Sequence, residues 1–140
     1  MTLNFKYKKV KRPNDKEIKS PSIPIVLQGK GSKYSFVALI DSGADVSVIP
    51  KDVAELLGLD LSAKHEEARG IGGRVPAIQT NVNLEIGKPH ENYNINLPVK
   101  VILNDGDEEI PVLLGRSGFF DKFIITFDQS KEIVSLKRVS

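Results

Sequence analysis

The stretch ALIDSGADVSVIP, residues 38–50, sets two aspartates, Asp41 and Asp45, around Ser42, Gly43 and Ala44, between two apolar runs. A carboxylate withdrawn from water is costly unless something satisfies it. Such a turn either surfaces as an ordinary loop or holds an aspartate where it can act as an acid or a base. Asp-Ser-Gly alone is common at turns. Two further segments invite chemistry. Gly70-Ile71-Gly72-Gly73 could cradle a phosphate, but it lacks the strand-to-helix setting and the lysine of a phosphate-binding loop. Arg116 closes the run VLLG. It is either an exposed strand end or a buried guanidinium, and the second case demands a carboxylate partner.

The elements that must position these residues read mostly as strands. IPIVLQ and KYSFVALI flank the turn-former GKGS and predict a β-hairpin that delivers Asp41 at its end. VSVI after the turn is a short β-branched strand. PKDVAELLGL predicts a helix, with Pro50 at its first position, Val53, Leu56 and Leu57 on one face, and Gly58 as its stop. Residues 64–87 read as a long hairpin tipped by the glycines, where positive φ is available. YNINLPVKVIL alternates as a strand, NDGDEE is an acidic turn, and IPVLLG is a buried run. SGFFDKF predicts a short helix capped by Ser117. IITFD and EIVSLKRV close the chain as a last hairpin. Phe5, Tyr7 and Val10 show a rough period of two and predict an N-terminal strand, with RPNDKEIKSPS as a loop.

The totals bound the class. A chain of 140 residues with 11 Gly and 8 Pro is one β-rich domain's worth. Cysteine is absent and there are two histidines, His65 and His90, so neither disulfides nor thiolate metal sites are expected, and no metal or cofactor is called for. No apolar run approaches the ~20 residues that span a bilayer. The basic N-terminus lacks the apolar stretch of a signal peptide, so a cytoplasmic location and no membrane partner are expected. The net charge is +2, but residues 1–20 alone carry +5. The ordinary reading of residues 1–21 is a solvated basic strand and linker ahead of a domain over 22–140. A nucleic-acid arm is the weaker reading, since only Phe5 and Tyr7 interleave the charges.

The order and spacing of Asp-Ser-Gly-Ala-Asp, the glycine tip some thirty residues on, and the later Leu-Leu-Gly-Arg resemble the retropepsin-like aspartic proteases, retroviral and cellular, over roughly residues 22–138. The resemblance implies an all-β fold: a single-lobe closed barrel with one or two short helices, acting as a homodimer. It makes Asp41 the catalytic aspartate, Ser42 the hydroxyl that bonds across to the opposing loop, and Gly43 the place where backbone approaches substrate. It places Leu39, Ala44, Asp45, Val48 and Leu113 along the cleft, and Gly70, Ile71, Gly72 and Gly73 at the tip of a flap. Arg74, where the retroviral flap carries an aromatic, and Val46, at a position that is often acidic, depart from the pattern. The family mechanism sets two aspartates around one water, sharing one proton; at about 3 Å and an effective dielectric near 20, two charges repel by roughly 5 kcal/mol.

Only one such aspartate is present, and two-lobed relatives need about twice this length, so the second Asp41 is expected from a second copy of the chain. The terminal EIVSLKRVS is expected to supply interface strands. Arg116 is expected to pair with Asp45 within one protomer as a buried brace. The expected activity is endopeptidase action on extended polypeptide, which can pair with the cleft as an added strand. The alternative is a catalytically silent dimer of the same fold that binds peptides or scaffolds a partner.

Overall fold

The computed structural model describes residues 2–11, 17–62, 65–70, 73–103 and 111–139. The predicted hairpin forms first. β4 (Ser22–Gln28) pairs antiparallel with β5 (Lys33–Ile40), from Ser22↔Leu39 to Gln28↔Lys33. Alternate residues Ile23, Ile25 and Leu27 turn inward and are fully buried, as the period of two demands. Beyond the turn, β6 (Ser47–Pro50) does not pair with β5. β10 (Val112–Leu114) lies between them, parallel to β5 and antiparallel to β6. β6 pairs in parallel with β9 (Glu91–Ile102), which pairs along its whole length with β8 (Gly73–Lys88). β8 returns to β4 through Val26↔Glu85, Leu27↔Leu84 and Gln28↔Asn83. Six strands thus close a barrel in the order β4-β5-β10-β6-β9-β8, and closure leaves the ring without an open edge.

β7 (Glu66–Gly70) hangs on β8 as the outer arm of the long hairpin, down to Gly70↔Gly73. The expected flap apex, Ile71 and Gly72, lies outside the described residues, as does the acidic turn NDGDEE. A second, three-stranded sheet runs β1 (Thr2–Lys6), β12 (Ile133–Arg138), β11 (Phe123–Asp128). Leu3, Phe5, Val134, Leu136, Phe119 and Phe123 join it to the barrel core. The turn from β11 to β12 is pinned at Asp128, whose carboxyl the Ser130 hydroxyl and the Lys131 N–H hold below its usual range.

Several expectations are corrected. The N-terminal strand is not a solvated arm: Leu3, Phe5 and Tyr7 are buried and β1 is hydrogen-bonded to β12. The segment read as a loop holds β3 (Glu17–Ser20), paired with β2 (Lys8–Lys11). The helix α1 (Lys51–Leu56) begins after Pro50, which is its N-cap in extended conformation. Ala54 and Leu57 are its buried positions, while Leu56 is exposed. Gly58, at φ +69°, does stop it. SGFFDKF forms turns rather than a helix. Gly118 takes φ +82°, and Asp121, not Ser117, caps there by accepting from the Gly118 N–H. One short α-helix therefore stands among the described residues, and no helix is long and apolar enough to cross a membrane.

Candidate active site

Because β10 is inserted between β5 and β6, residues 41–46 must arch over the end of β10. Each end of that arch is tied to the chain beneath. The Asp41 N–H donates to the Leu114 carbonyl at 3.0 Å, extending the β5–β10 ladder by one step. The Arg116 N–H donates to the Ala44 carbonyl and the Ser117 N–H to the Asp45 carbonyl, each at 2.9 Å. Val46 bridges Ser117 in parallel. Under the crown lies Gly115, whose N–H donates to the Ser47 hydroxyl at 2.9 Å. Ser47 is buried, so this bond keeps a buried donor from going unpaired, a loss of about 1–3 kcal/mol. Ser47 escaped the sequence reading. The available signal was its place in SVI, two residues before core-facing Ile49, where an apolar side chain is the default.

Within the arch, the Gly43 N–H donates to Asp41 Oδ1 at 2.9 Å, and the Ala44 N–H to the Asp41 carbonyl at 3.2 Å. A methyl group at Gly43 would stand 3.2 Å from that same carboxylate oxygen. One oxygen of Asp41 is thereby fixed by backbone, while Oδ2 accepts no hydrogen bond among the described residues. Asp41 is half-buried, and Ser42, Gly43 and Asp45 are exposed. In the protomer the acidic turn is therefore not withdrawn from water, although its backbone is held at both ends. The Ser42 hydroxyl likewise has no partner among the described residues.

Leu39, Leu113 and Val48 stand side by side on β5, β10 and β6, through Leu113↔Leu39 and Leu113↔Val48. They alternate with the core-facing Ala38, Ile40, Val112, Leu114, Ser47 and Ile49, so they form an apolar, half-buried row on the opposite face, leading to Asp41. The structure therefore brings together Asp41, Ser42, Gly43, Ala44, Asp45, Leu39, Val48, Leu113 and Arg116. Gly70 and Gly73 close the described part of the β7–β8 hairpin, which is a separate element.

Asp45 and Arg116 do pair: an Arg116 Nη2–H donates to Asp45 Oδ1. The expected burial does not hold. Their side chains are 88% and 57% exposed, because Arg116 lies beyond the end of β10, past the buried Leu114. A water-exposed pair is worth about 0–1 kcal/mol. A double-mutant cycle of Asp45→Ala and Arg116→Ala on denaturant unfolding of the protomer should give a coupling below about 1 kcal/mol. A coupling of several times that would contradict the exposed geometry.

Among the described residues no group of three or more His, Asp or Glu side chains could hold a metal ion. The arrangement offers one carboxylate, oriented by backbone, with one oxygen unbonded among the described residues, on the same end of the sheet as the half-buried apolar row of Leu39, Leu113 and Val48. Residues 24–117, the span from β4 to the strand end under the arch, match the family model described as aspartyl protease. The chain belongs to the aspartyl protease family. Its fold is retropepsin-like. It is similar to a retropepsin-like aspartic protease from Rickettsia conorii, with a TM-score of 0.60 and 21% identity over 97% of this chain and 98% of that one. It is also similar to the EIAV protease complexed with the inhibitor HBY-793, with a TM-score of 0.52 and 21% identity over 74% of this chain and 88% of that one. Among curated protein sequences none matches.

Proposed function

We propose that the chain is one half of a homodimeric aspartic endopeptidase that cleaves extended or unfolded polypeptide. The observation that carries this reading is Asp41: one carboxylate, tied through Oδ1 to the Gly43 N–H, with Oδ2 left over and no second carboxylate bonded to it among the described residues. A second copy supplies the missing aspartate. The two carboxylates hold one water and share one proton. The ionised one takes a proton from the water as its oxygen bonds to the scissile carbonyl carbon, and the protonated one donates to the carbonyl oxygen. In the collapse of the resulting gem-diol the C–N bond breaks, the amine leaves with a proton from one carboxyl, and the diol's hydroxyl proton returns to the other. Ser42, exposed at the arch, reaches across to the partner's loop. Leu39, Val48 and Leu113 receive apolar side chains of the substrate, and the β7–β8 hairpin covers it.

Incubation of the protein with a diverse peptide library tests this reading. Cleavage is expected, with specific activity falling on dilution as dimers dissociate. Peptides bound and never cut would favour the silent scaffold. Cleavage by a species that sediments as a monomer at every concentration would sink the two-copy site.

A further inference from the structure

Lys6, Lys8 and Lys88 converge on one open groove of about 380 Å³, where the chain passes from β1 to β2 beside β4. Phe5, Pro24 and Ile133 give it apolar walls. Buried Leu3, Phe5 and Tyr7 alternate with exposed Asn4, Lys6 and Lys8, so both lysines lie on one side of the chain, two residues apart. Lys88 arrives from the far end of β8. Its ammonium donates to the Asn4 carbonyl at 2.6 Å and stands 5.2 Å from the Phe5 ring centroid. An ammonium has three N–H donors, so two remain for a ligand. The Asn4 side chain is itself held by the Ser135 hydroxyl at 2.6 Å.

These cations are uncompensated. Among the described residues no acid lines the groove, and Lys6 and Lys8 make no ion pair. Glu132, beside Ile133, turns its carboxylate to Lys19 at 3.7 Å, and Glu85 on β8 is engaged by Lys33 at 3.4 Å. Like charges gathered around apolar walls raise the local positive potential and attract an anion. The position of the groove says which anion. Pro24↔Val37 lies two steps along the β4–β5 ladder from Ser22↔Leu39, so Pro24 and Leu39 are diagonal neighbours on the outer face, about 7–8 Å apart. Val37, 51% exposed, carries the apolar surface between them. The groove thus adjoins the row of Leu39, Val48 and Leu113 that the proposed function gives to substrate. An extended polypeptide sets alternate side chains on one face about 7 Å apart, the same repeat that separates Lys6 from Lys8. A nucleic-acid strand would need open aromatic faces for its bases, and the Phe5 ring is buried with Lys88 against it.

We propose that this groove docks an acidic, extended segment of the polypeptide substrate, with Asp or Glu at alternate positions, lying outside the stretch that enters the cleft. The inference rests on the endopeptidase reading and adds a selectivity to it. Lys6 and Lys8 each take one carboxylate of an i, i+2 pair, and Lys88, locked to β1, offers its two spare N–H groups to the next. The apolar walls cover the methylene stems of the same side chains. From Asp41 back to Leu39 is about 7 Å, and Pro24 lies a further 7–8 Å away, so the acidic segment starts at least about four extended residues from the scissile bond. Charge complementarity of this kind acts on encounter and binding, and leaves the chemical step alone.

Fluorescence anisotropy with a labelled peptide of alternating Glu and Ala reads the groove without any turnover. Wild-type and Asp41→Asn proteins should bind this probe equally, and added salt should weaken binding. The double substitution Lys6→Gln/Lys8→Gln should weaken it about tenfold or more. Lys30→Gln/Lys122→Gln removes the same charge from exposed positions elsewhere and should change it less than about twofold. Joined to a peptide that the protein cleaves, the acidic block should lower KM about fivefold or more with kcat unchanged, and Lys6→Gln/Lys8→Gln should abolish that gain. Probe binding that this variant loses, with no peptide cleaved by any form, would uphold the docking site and remove the enzymatic reading. Cleavage indifferent to the acidic block, or probe binding equally reduced by the two double variants, would overturn the inference while leaving that reading intact. Tighter binding of a labelled oligo-dT strand than of the peptide would overturn it in favour of nucleic acid.

Discussion

Asp41→Asn is expected to lower peptide hydrolysis toward or past the upper end of the ~10²–10⁴-fold range that a positioned acid or base contributes. In the proposed dimer both copies would lose their carboxylate at once, so acid and base would vanish together. The fold should be spared. The amide is nearly isosteric, and its oxygen can still accept from the Gly43 N–H that holds Asp41 Oδ1 at 2.9 Å. The Asp41 N–H bond to Leu114 is backbone and survives any side chain. Mixing adds a sharper prediction. If each active dimer needs two aspartates, equal parts of wild-type and Asp41→Asn chains, allowed to exchange, should leave about one quarter of dimers active. Undiminished turnover in the pure variant would remove Asp41 from the chemistry. A loss no greater than simple dilution in the mixture would argue that one aspartate suffices.

Gly115→Ala should cost about 1–3 kcal/mol or more in stability and abolish activity with it. A methyl group there would sit 2.5 Å from the carbonyl carbon and oxygen of Val46 and 2.9 Å from the Ala44 oxygen. All three atoms are backbone, so no side-chain rotation relieves the clash. The arch would have to lift, breaking the Arg116–Ala44 and Ser117–Asp45 backbone bonds that set the height of Asp41. Gly31→Ala is the control, since nothing lies within 4 Å of a methyl group at that position. Denaturant midpoints and turnover for the two variants decide the matter. A Gly115→Ala protein with unaltered midpoint and turnover would mean that the arch is not seated on Gly115.

Much of the fold was written locally. The alternation in SIPIVLQ and KYSFVALI, with a glycine turn between them, sufficed for the first hairpin, and FIITFD and IVSLKR sufficed for the last. Those segments were legible because a strand with one buried face repeats every two residues, and turn residues mark its limits. The Asp-Ser-Gly-Ala-Asp and Leu-Leu-Gly-Arg segments were legible as a pair only through their resemblance to a family, and the match over residues 24–117 upholds that family.

Local pattern misled where a residue's environment comes from distant chain. Phe119 reads as part of an amphipathic turn of helix, yet Gly118 at positive φ, packed toward Pro98, breaks it into turns. Leu56 reads as core but points away, because Ala54 and Leu57 already meet the barrel. The basic N-terminus reads as a solvated arm since charge dominates its composition, but every second residue from Leu3 to Tyr7 is buried beside β12, more than a hundred residues away.

The sequence by itself determined the β-rich class and the single Asp-Ser-Gly aspartate, and through its resemblance the family; it named Asp45 and Arg116 as partners but put them in the core. Only the tertiary structure decided how that aspartate is held and what surrounds it. The insertion of β10 between β5 and β6 puts Gly115 and Ser47 under the arch, and leaves the Asp45–Arg116 pair in water rather than in the core. Strand order decided too that β12 is enclosed between β1 and β11, while the second edge of β11 pairs with no strand among the described residues. Period and composition specify which face of a strand is apolar. They carry no information about which strand becomes its neighbour, because that choice is made by the closure of the whole sheet.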